Sequence, residues 1–194
     1  MDVFTLVFLA CICIFGVIVV GALLFGVGLY NSIQKLVVLV DEAWSGIDVQ
    51  LKKRFDLIPN LVETVKGYAK HEEGIFTKVA ELRSGMMKSQ DPAELGKMEG
   101  ELRSTLKTLF AVAENYPELK ADQNFMKLQD SLQEIENELE GARRYYNGAV
   151  RDLNTKIVVF PNNIIAGFLN LKKRAFFEVE GEEERKNVKV DFNN

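Results

Sequence analysis

The chain has 194 residues, with 24 basic and 28 acidic side chains and a formal net charge of −4. This slightly acidic balance argues against general binding to nucleic acid, which requires a basic surface. Both cysteines, Cys11 and Cys13, lie in one apolar N-terminal stretch, so no thiol is available as a nucleophile after it.

That stretch, from Val3 to Gln34, contains no Asp, Glu, Lys, Arg or His. A helix needs about 20 apolar residues to cross the hydrocarbon core of a bilayer. We therefore predict a tail of residues 1–2 and a membrane-spanning helix over residues 3–30, with Val3 and Leu29 near its ends. A cleaved secretory signal is the alternative, but the basic n-region and small-residue cleavage site of such signals are missing.

Basic residues follow the predicted span and none precedes it. Lys35 comes first, and Lys52, Lys53 and Arg54 come soon after. Because Lys and Arg beside a span tend to remain in the cytoplasm, we expect a single-pass protein of the cell membrane. Its C-terminal domain would then be cytoplasmic.

Apolar residues recur at steps of three and four after the span, which predicts a helix of coiled-coil or bundle type. This stripe shares its phase with the span, and nothing between them breaks a helix, so we predict one helix that continues without a linker to about Met87. Pro59 favours a kink in this helix. The alternative is a hairpin in which Asp56 caps a new helix. The stripe comprises Ile33, Val37, Val40, Trp44, Ile47, Leu51, Ile58, Leu61, Val65 and Tyr68.

Three more helices are predicted, over about 91–116, 122–160 and 163–171. Asp91, Pro92 and Glu94 are typical of an N-cap, a first helical residue and a capping-box carboxylate. The first of these helices would bury Leu95, Met98, Leu102, Leu106, Leu109 and Ala113. In the helix over about 122–160, four acidic residues lie mostly off the apolar stripe and indicate a solvated face; they are Glu134, Glu136, Glu138 and Glu140.

No segment alternates as a buried strand would. The expected fold is therefore all-α, with a helical domain over residues 31–178. Residues 179–194 would form a charged tail.

Several charged residues lie on or beside the apolar stripes. Arg54 and Asp56 lie next to Pro59, and Arg151 and Asp152 lie in the helix over 122–160, as do Arg143 and Arg144. One interpretation is a buried polar network that fixes helix register, or a groove that binds a partner. The other is a set of surface ion pairs, each worth less than about 1 kcal/mol, and this is favoured for Arg144.

Catalytic and metal-binding motifs are missing from the sequence. His71 is the single histidine, and the HExxH pattern is absent because Ile75 stands where the second histidine would be. One histidine with no nucleophile-elbow pattern gives little support to a Ser-His-Asp triad. We therefore expect a protein that is not an enzyme and holds no cofactor or metal.

A basic and aromatic segment near the C-terminus has two interpretations. Apolar residues including Phe168 flank the run Lys172, Lys173 and Arg174. Such a segment can lie on an anionic membrane surface. Alternatively, its apolar residues cap the open end of the helical domain.

Three blocks of sequence resemble the LemA family of bacterial membrane proteins, in family order and with family spacing. They are DVQLKKRFDLIPNLVETVKGYAKHE at 48–72, AENYPELKA at 113–121, and YNGAVRDLNT at 146–155, followed by Phe160-Pro161 and by Phe176, Phe177 and Glu178. The resemblance implies a single N-terminal span and an antiparallel four-helix bundle on the cytoplasmic side. It implies no enzymatic activity, and some relatives are associated with remodelling or organising membranes.

Two functions fit these features, and a hydrolase with an unfamiliar site is a distant third. The first is a scaffold that self-associates in the membrane lipids and organises or remodels membrane or recruits partners. Small residues of the span could let spans pack closely; they are Gly16, Gly21, Ala22, Gly26 and Gly28. The second is an adaptor or regulator of another membrane protein, such as a protease, transporter or kinase.

Overall fold

The computed structural model describes residues 3–69 and 71–178. Within these ranges it contains α-helices and no strand, which confirms the all-α class. The predicted tails at 1–2 and 179–194 lie outside the described residues. The helices are α1 (Val3–Lys66), α2 (Glu73–Met86), α3 (Pro92–Ala113), α4 (Pro117–Lys120), α5 (Gln123–Val158) and α6 (Asn162–Phe168).

The apolar N-terminal stretch and the first part of the domain form one helix, α1, of 64 residues. This confirms the prediction that no linker separates them. Pro59 lies inside α1, so no new helix begins at Asp56. A bend of the helix axis at Pro59 stays a prediction.

The predicted end of the first helix near Met87 is wrong, because α1 ends at Lys66 and a separate helix, α2, follows. Gly67 comes directly after α1, and glycine is a poor helix former. The amide N–H groups of Tyr68 and Ala69 both donate to the carbonyl of Val65 as the helix ends. The apolar spacing continues in α2 and concealed the break: its buried residues are Phe76, Val79, Leu82 and Met86.

Side chains cap the starts of α3 and α5. The Asp91 carboxylate accepts from the amide of Ala93 at 3.0 Å with Pro92 in the first turn, as predicted. Glu94 differs from a capping box, because it accepts instead from the Ser89 hydroxyl at 2.6 Å. The Asp122 carboxylate caps α5, and the hydrogen bond from the amide of Phe125 holds its pKa below the ordinary value.

The chain divides into two compact units. The first comprises α1 up to Ala43 together with Gly148–Arg174. Its buried residues are Ile33, Val40, Ala43, Ala149, Val150, Leu153, Ile157, Asn162 and Ala166. Asn154 exchanges two hydrogen bonds with the backbone of Arg174, at 2.8 and 2.9 Å, and so holds the segment that follows α6 against α5.

The second unit comprises Trp44–Asn147 together with the described residues from Ala175. Its helices are joined by apolar contacts and by buried charge. Within it, α2 packs against α3. Its central apolar side chains are Ile47, Leu51, Ile58, Leu61, Val65, Val79, Leu102, Leu106, Leu109, Leu119, Leu132 and Leu139.

An extended segment after Arg174 closes the second unit. Asn147 exchanges hydrogen bonds of 2.9 and 3.0 Å with the backbone of Phe177. The buried Phe177 ring lies 6.2 Å from the ring of Trp44, which lies 5.3 Å from the ring of Tyr146. Phe177 therefore belongs to the core, and the backbone next to it passes directly over α3 at Gly96.

We expect Gly96→Ala to displace this segment. A Cβ at Gly96 would lie 2.2 Å from the carbonyl oxygen of Glu178 and 3.1 Å from its amide nitrogen, so the backbone must move. Overpacking of this kind costs about 1–3 kcal/mol. Urea unfolding gives the loss of stability, and hydrogen exchange at the Phe177 amide reports the displaced segment.

Gly148→Ala is the matched control, because it is a helical glycine with no atom within 4 Å of the added Cβ. Removing a glycine from a helix stabilises by up to about 1 kcal/mol. Equal effects of the two substitutions would contradict the close approach at Gly96.

Candidate functional site

The second unit contains a buried cluster of charged side chains from three helices, here called the Arg–Glu cluster: Arg54 of α1, Glu99 of α3, and Glu136 and Arg143 of α5. Nη1 of Arg54 donates to Oε1 of Glu99 at 2.8 Å. Nη1 of Arg143 donates to Oε2 of the same carboxylate, also at 2.8 Å. Glu99 is completely buried. Because one of its oxygens binds Arg54 and the other binds Arg143, Glu99 connects α3 to both α1 and α5.

Glu136 lies at the edge of the Arg–Glu cluster. Its Oε2 is 3.0 Å from Nη1 of Arg54, and its Oε1 is 3.5 Å from Nη2 of Arg143. The half-exposed Arg103 approaches the same Oε1, with its Nε at 3.4 Å. The four members of the cluster therefore balance in charge, and Arg103 adds a further positive charge at the solvent side.

A hydrogen bond to the backbone beside Arg54 connects a further helix, α2, to α1. Arg83 of α2 donates from Nε to the carbonyl oxygen of Phe55 at 2.8 Å. Phe55 follows Arg54 directly, so α2 is attached to α1 beside the Arg–Glu cluster. Within the second unit, α2, α3 and the parts of α1 and α5 are thus joined by polar contacts.

The chemistry of the Arg–Glu cluster indicates a structural role. Arginine stays protonated under all ordinary conditions and cannot act as a proton donor or acceptor in catalysis. Removing two charge pairs from water is costly, and the attraction is recovered only when the geometry is good. The contacts come from three helices, so we expect the cluster to help set their register.

Of the predicted register or interaction residues, Arg54 lies in the Arg–Glu cluster. Asp56 is exposed, and Pro59 is half-buried inside α1. Arg151 and Asp152 are exposed and pair with each other, with Arg151 Nε 3.2 Å from Asp152 Oδ1. Whether these exposed residues contact a partner stays a prediction.

Glu99 was not identified from its sequence position. The prediction that Glu136 lies on a solvated face is wrong, since Glu136 is only 14% exposed and pairs with Arg54. Glu99 lies four residues after Leu95 and three before Leu102, and Arg143 lies likewise between Leu139 and Tyr146. A charge at a position of the apolar stripe was the available signal. The favoured surface pair of Arg144 is present, with Glu140.

The described residues hold no group of three or more His, Cys, Asp or Glu side chains arranged to bind a metal. His71 is exposed between α1 and α2. Cys11 and Cys13 are free and exposed on α1.

The predicted span lies within α1, the one helix of the described chain that is long and apolar enough to cross a membrane. Val3 begins α1, and Leu29 is half-exposed. Large apolar side chains are exposed along this part of the helix, among them Phe15, Leu24 and Phe25.

The predicted membrane-surface residues lie in the first unit at and after α6. Phe168 is the last residue of α6 and is 86% exposed. Lys172, Lys173 and Arg174 follow in an irregular segment and are also exposed. Nη2 of Arg174 lies 3.5 Å from Oδ1 of Asp41 on α1.

We expect Glu99→Gln to destabilise the protein strongly. The substitution keeps the side chain's shape but leaves Arg54 and Arg143 buried with Glu136 as their remaining carboxylate. Breaking a buried ion pair on one side costs about 3–5 kcal/mol. Urea unfolding of the detergent-solubilised protein, followed by circular dichroism, measures the change.

Glu101→Gln, two residues further along α3, is the control. Glu101 is 46% exposed, and its carboxylate lies 3.2 Å from Nζ of Lys78. We expect a loss of less than about 1 kcal/mol. A Glu99→Gln effect no larger than this would show that the Arg–Glu cluster does not hold the helices together.

The comparisons with known proteins agree on one family. The chain is 27% identical to Protein LemA of Metamycoplasma hominis over 156 residues, which cover 78% of this chain and 70% of that protein. It is 24% identical to Magnetosome protein MamQ 2 of Paramagnetospirillum magneticum, over 69% of this chain and 59% of that protein. It is 20% identical to Magnetosome protein MamQ of Magnetospirillum gryphiswaldense, over 76% of this chain and 64% of that protein.

This chain thus spans less than two thirds of the length of these MamQ relatives. The model of the LemA family matches residues 43–192, which include the Arg–Glu cluster. Because this match covers more than half of the chain, the protein belongs to the LemA family.

Proposed function

We propose that this protein is a membrane-anchored, non-enzymatic helical scaffold that self-associates and organises or remodels membrane or recruits partners. The observation that supports this most directly is α1. One helix contains both the exposed apolar stretch that would cross the bilayer and the buried side chains of the domain, beginning at Ile33. Any rotation or association of the span would therefore reach the domain without passing through a flexible joint.

The domain that α1 enters is proposed to be an antiparallel four-helix bundle, formed in the second unit by α2, α3 and parts of α1 and α5. Within that unit, Trp44 meets Tyr146, while Arg54 meets Glu136 ten residues earlier in α5. Later residues of α1 thus contact earlier residues of α5, which supports opposite helix directions. A bend in α1 at Pro59 would fit this packing, because proline removes one backbone hydrogen bond.

The names of the relatives support a role other than catalysis, since neither LemA nor magnetosome protein MamQ is the name of an enzyme. The buried polar residues support the same proposal. The Arg–Glu cluster pairs two guanidinium groups with two carboxylates, which suits it to holding helices together.

The proposed topology is a single pass through the cell membrane with the domain in the cytoplasm. Its support is the basic residues that follow the span: Lys35 comes first, with Lys52, Lys53 and Arg54 further on. We expect protease added to intact cells to leave the domain uncut and to cut it once the cells are opened. Cutting of the domain in intact cells would contradict this topology.

An adaptor or regulator of another membrane protein is the second candidate. An open groove of about 1050 Å³ between α2 and the end of α1 favours it. The groove mixes apolar and charged side chains, which suits a protein segment better than a small metabolite. Its lining includes Lys66, Phe76, Thr77, Glu81, Ser84 and Lys88.

Chemical cross-linking of lysines in native membranes tests the scaffold proposal. We expect a defined ladder of homo-oligomers. A flexible Gly-Ser insertion after Tyr30 should blur the ladder, because the spans still associate but no longer orient the domains. An insertion of seven helix-forming residues should preserve the ladder, since seven residues nearly restore the helical phase.

If the flexible insertion left the ladder unchanged, the span would serve only to anchor the protein and would not orient the domains. Cross-linking of one copy to one different membrane protein, with no homo-oligomer, would overturn the scaffold and support the adaptor. Mass spectrometry of the cross-linked bands distinguishes these outcomes.

A further inference from the structure

The end of α5 and α6 form an exposed apolar surface. Phe160 is 74% exposed and Phe168 is 86% exposed. Single exposed apolar residues are ordinary on a protein surface, but five within eleven residues indicate a contact surface. We call this the apolar–basic patch: Val158, Val159, Phe160, Ile164 and Phe168, with Lys172 and Lys173 after them.

The charge around the patch has one sign. From Leu153 to Phe177 the chain has no Asp or Glu, and it has four basic residues, so this segment carries +4. The four are Lys156, Lys172, Lys173 and Arg174. Asp41 neutralises Arg174 in part, whereas Lys172 and Lys173 are exposed beside the apolar side chains.

The patch belongs to the same compact unit as the apolar stretch of α1. Ile33, two residues before the first lysine, is completely buried. A residue of one helix can be covered fully only by other segments, and the remainder of this unit is Gly148–Arg174. Arg174 joins the two parts, since it binds Asp41 of α1 and the side chain of Asn154.

We propose that the apolar–basic patch rests on the bilayer that α1 crosses, with its aromatic side chains at the level of the headgroups and its lysines on anionic lipids. This deepens the proposed function and rests on it, because it requires α1 to span that bilayer. Apolar side chains beside Lys are the combination that binds an anionic membrane surface. A second copy of the patch is a poorer occupant, because two positively charged segments repel.

The exposure of Phe168 contradicts the alternative interpretation, in which this side chain caps the open end of the helical domain. A capping side chain would be buried, as Phe177 is, but Phe168 has most of its surface uncovered. The lipid contact would be a second attachment beside the span. It would limit rotation of α1 about its own axis and so fix which face of the domain meets a neighbour.

Fluorescence of the full chain in vesicles tests this. Cys11 and Cys13 are replaced by Ser, and Phe168→Cys is labelled with the polarity-sensitive dye NBD. Phosphatidylcholine vesicles are compared with vesicles that also contain phosphatidylserine. Both leaflets have the same lipids, so a mixed orientation of the protein does not affect the result.

Met126→Cys is the matched control, because Met126 is an exposed apolar residue at the other end of α5. We expect blue-shifted emission and quenching by nitroxide lipids at position 168 and neither at 126. The shift should be larger with phosphatidylserine and should be lost in the variant Lys172→Glu/Lys173→Glu.

Emission at 168 that matches 126 in both vesicles would overturn the inference. A blue shift that follows the protein-to-lipid ratio and ignores phosphatidylserine would also overturn it, by assigning the patch to a second copy. Alkaline extraction of the same vesicles tests the span separately. Release of the protein would refute the anchored scaffold, whereas retention without a blue shift would refute this contact alone.

Discussion

Glu99 is a fully buried carboxylate, and each of its oxygens is bound by a guanidinium from a different helix. We expect the second unit to depend on this arrangement, because apolar contacts are non-directional and select one helix register less sharply than paired charges do. A slide would leave Arg54 or Arg143 buried without its carboxylate, at a cost of several kcal/mol. We therefore expect the Arg–Glu cluster to contribute specificity, and apolar burial to contribute most of the stability.

The segment after Arg174 packs on the same helices that the Arg–Glu cluster connects. Phe177 enters the core beside Trp44, and the side chain of Asn147 satisfies both backbone groups of Phe177. The neighbouring Glu178 passes over α3 where Gly96 has no side chain. Gly96 lies three residues before Glu99, so the surface that accepts this segment is formed by the helix that the Arg–Glu cluster holds in place.

The sequence predicted those features that repeat or that involve neighbouring residues. The all-α class, the continuous α1 and the N-cap at Asp91 follow from periodicity and local capping chemistry. The break after Lys66 did not, because the apolar spacing of α2 continues that of α1 and Gly67 was its local sign. Glu99 was missed and Glu136 was assigned to a solvated face, because both pair with Arg54 of another helix. Pairing across helices leaves no sign in the sequence beyond a charge on or beside an apolar stripe.

The net charge of the whole chain likewise conceals a local feature that bears on function. The whole chain carries −4 and the segment Leu153–Phe177 carries +4, so all other residues together carry −8. An average over the chain argues against general binding to a polyanion, yet it hides a basic surface beside the proposed span. Charge is screened within about 8–10 Å in physiological salt. The proposed membrane contact would therefore depend on the lysines of the apolar–basic patch, and acidic residues farther away would add little repulsion.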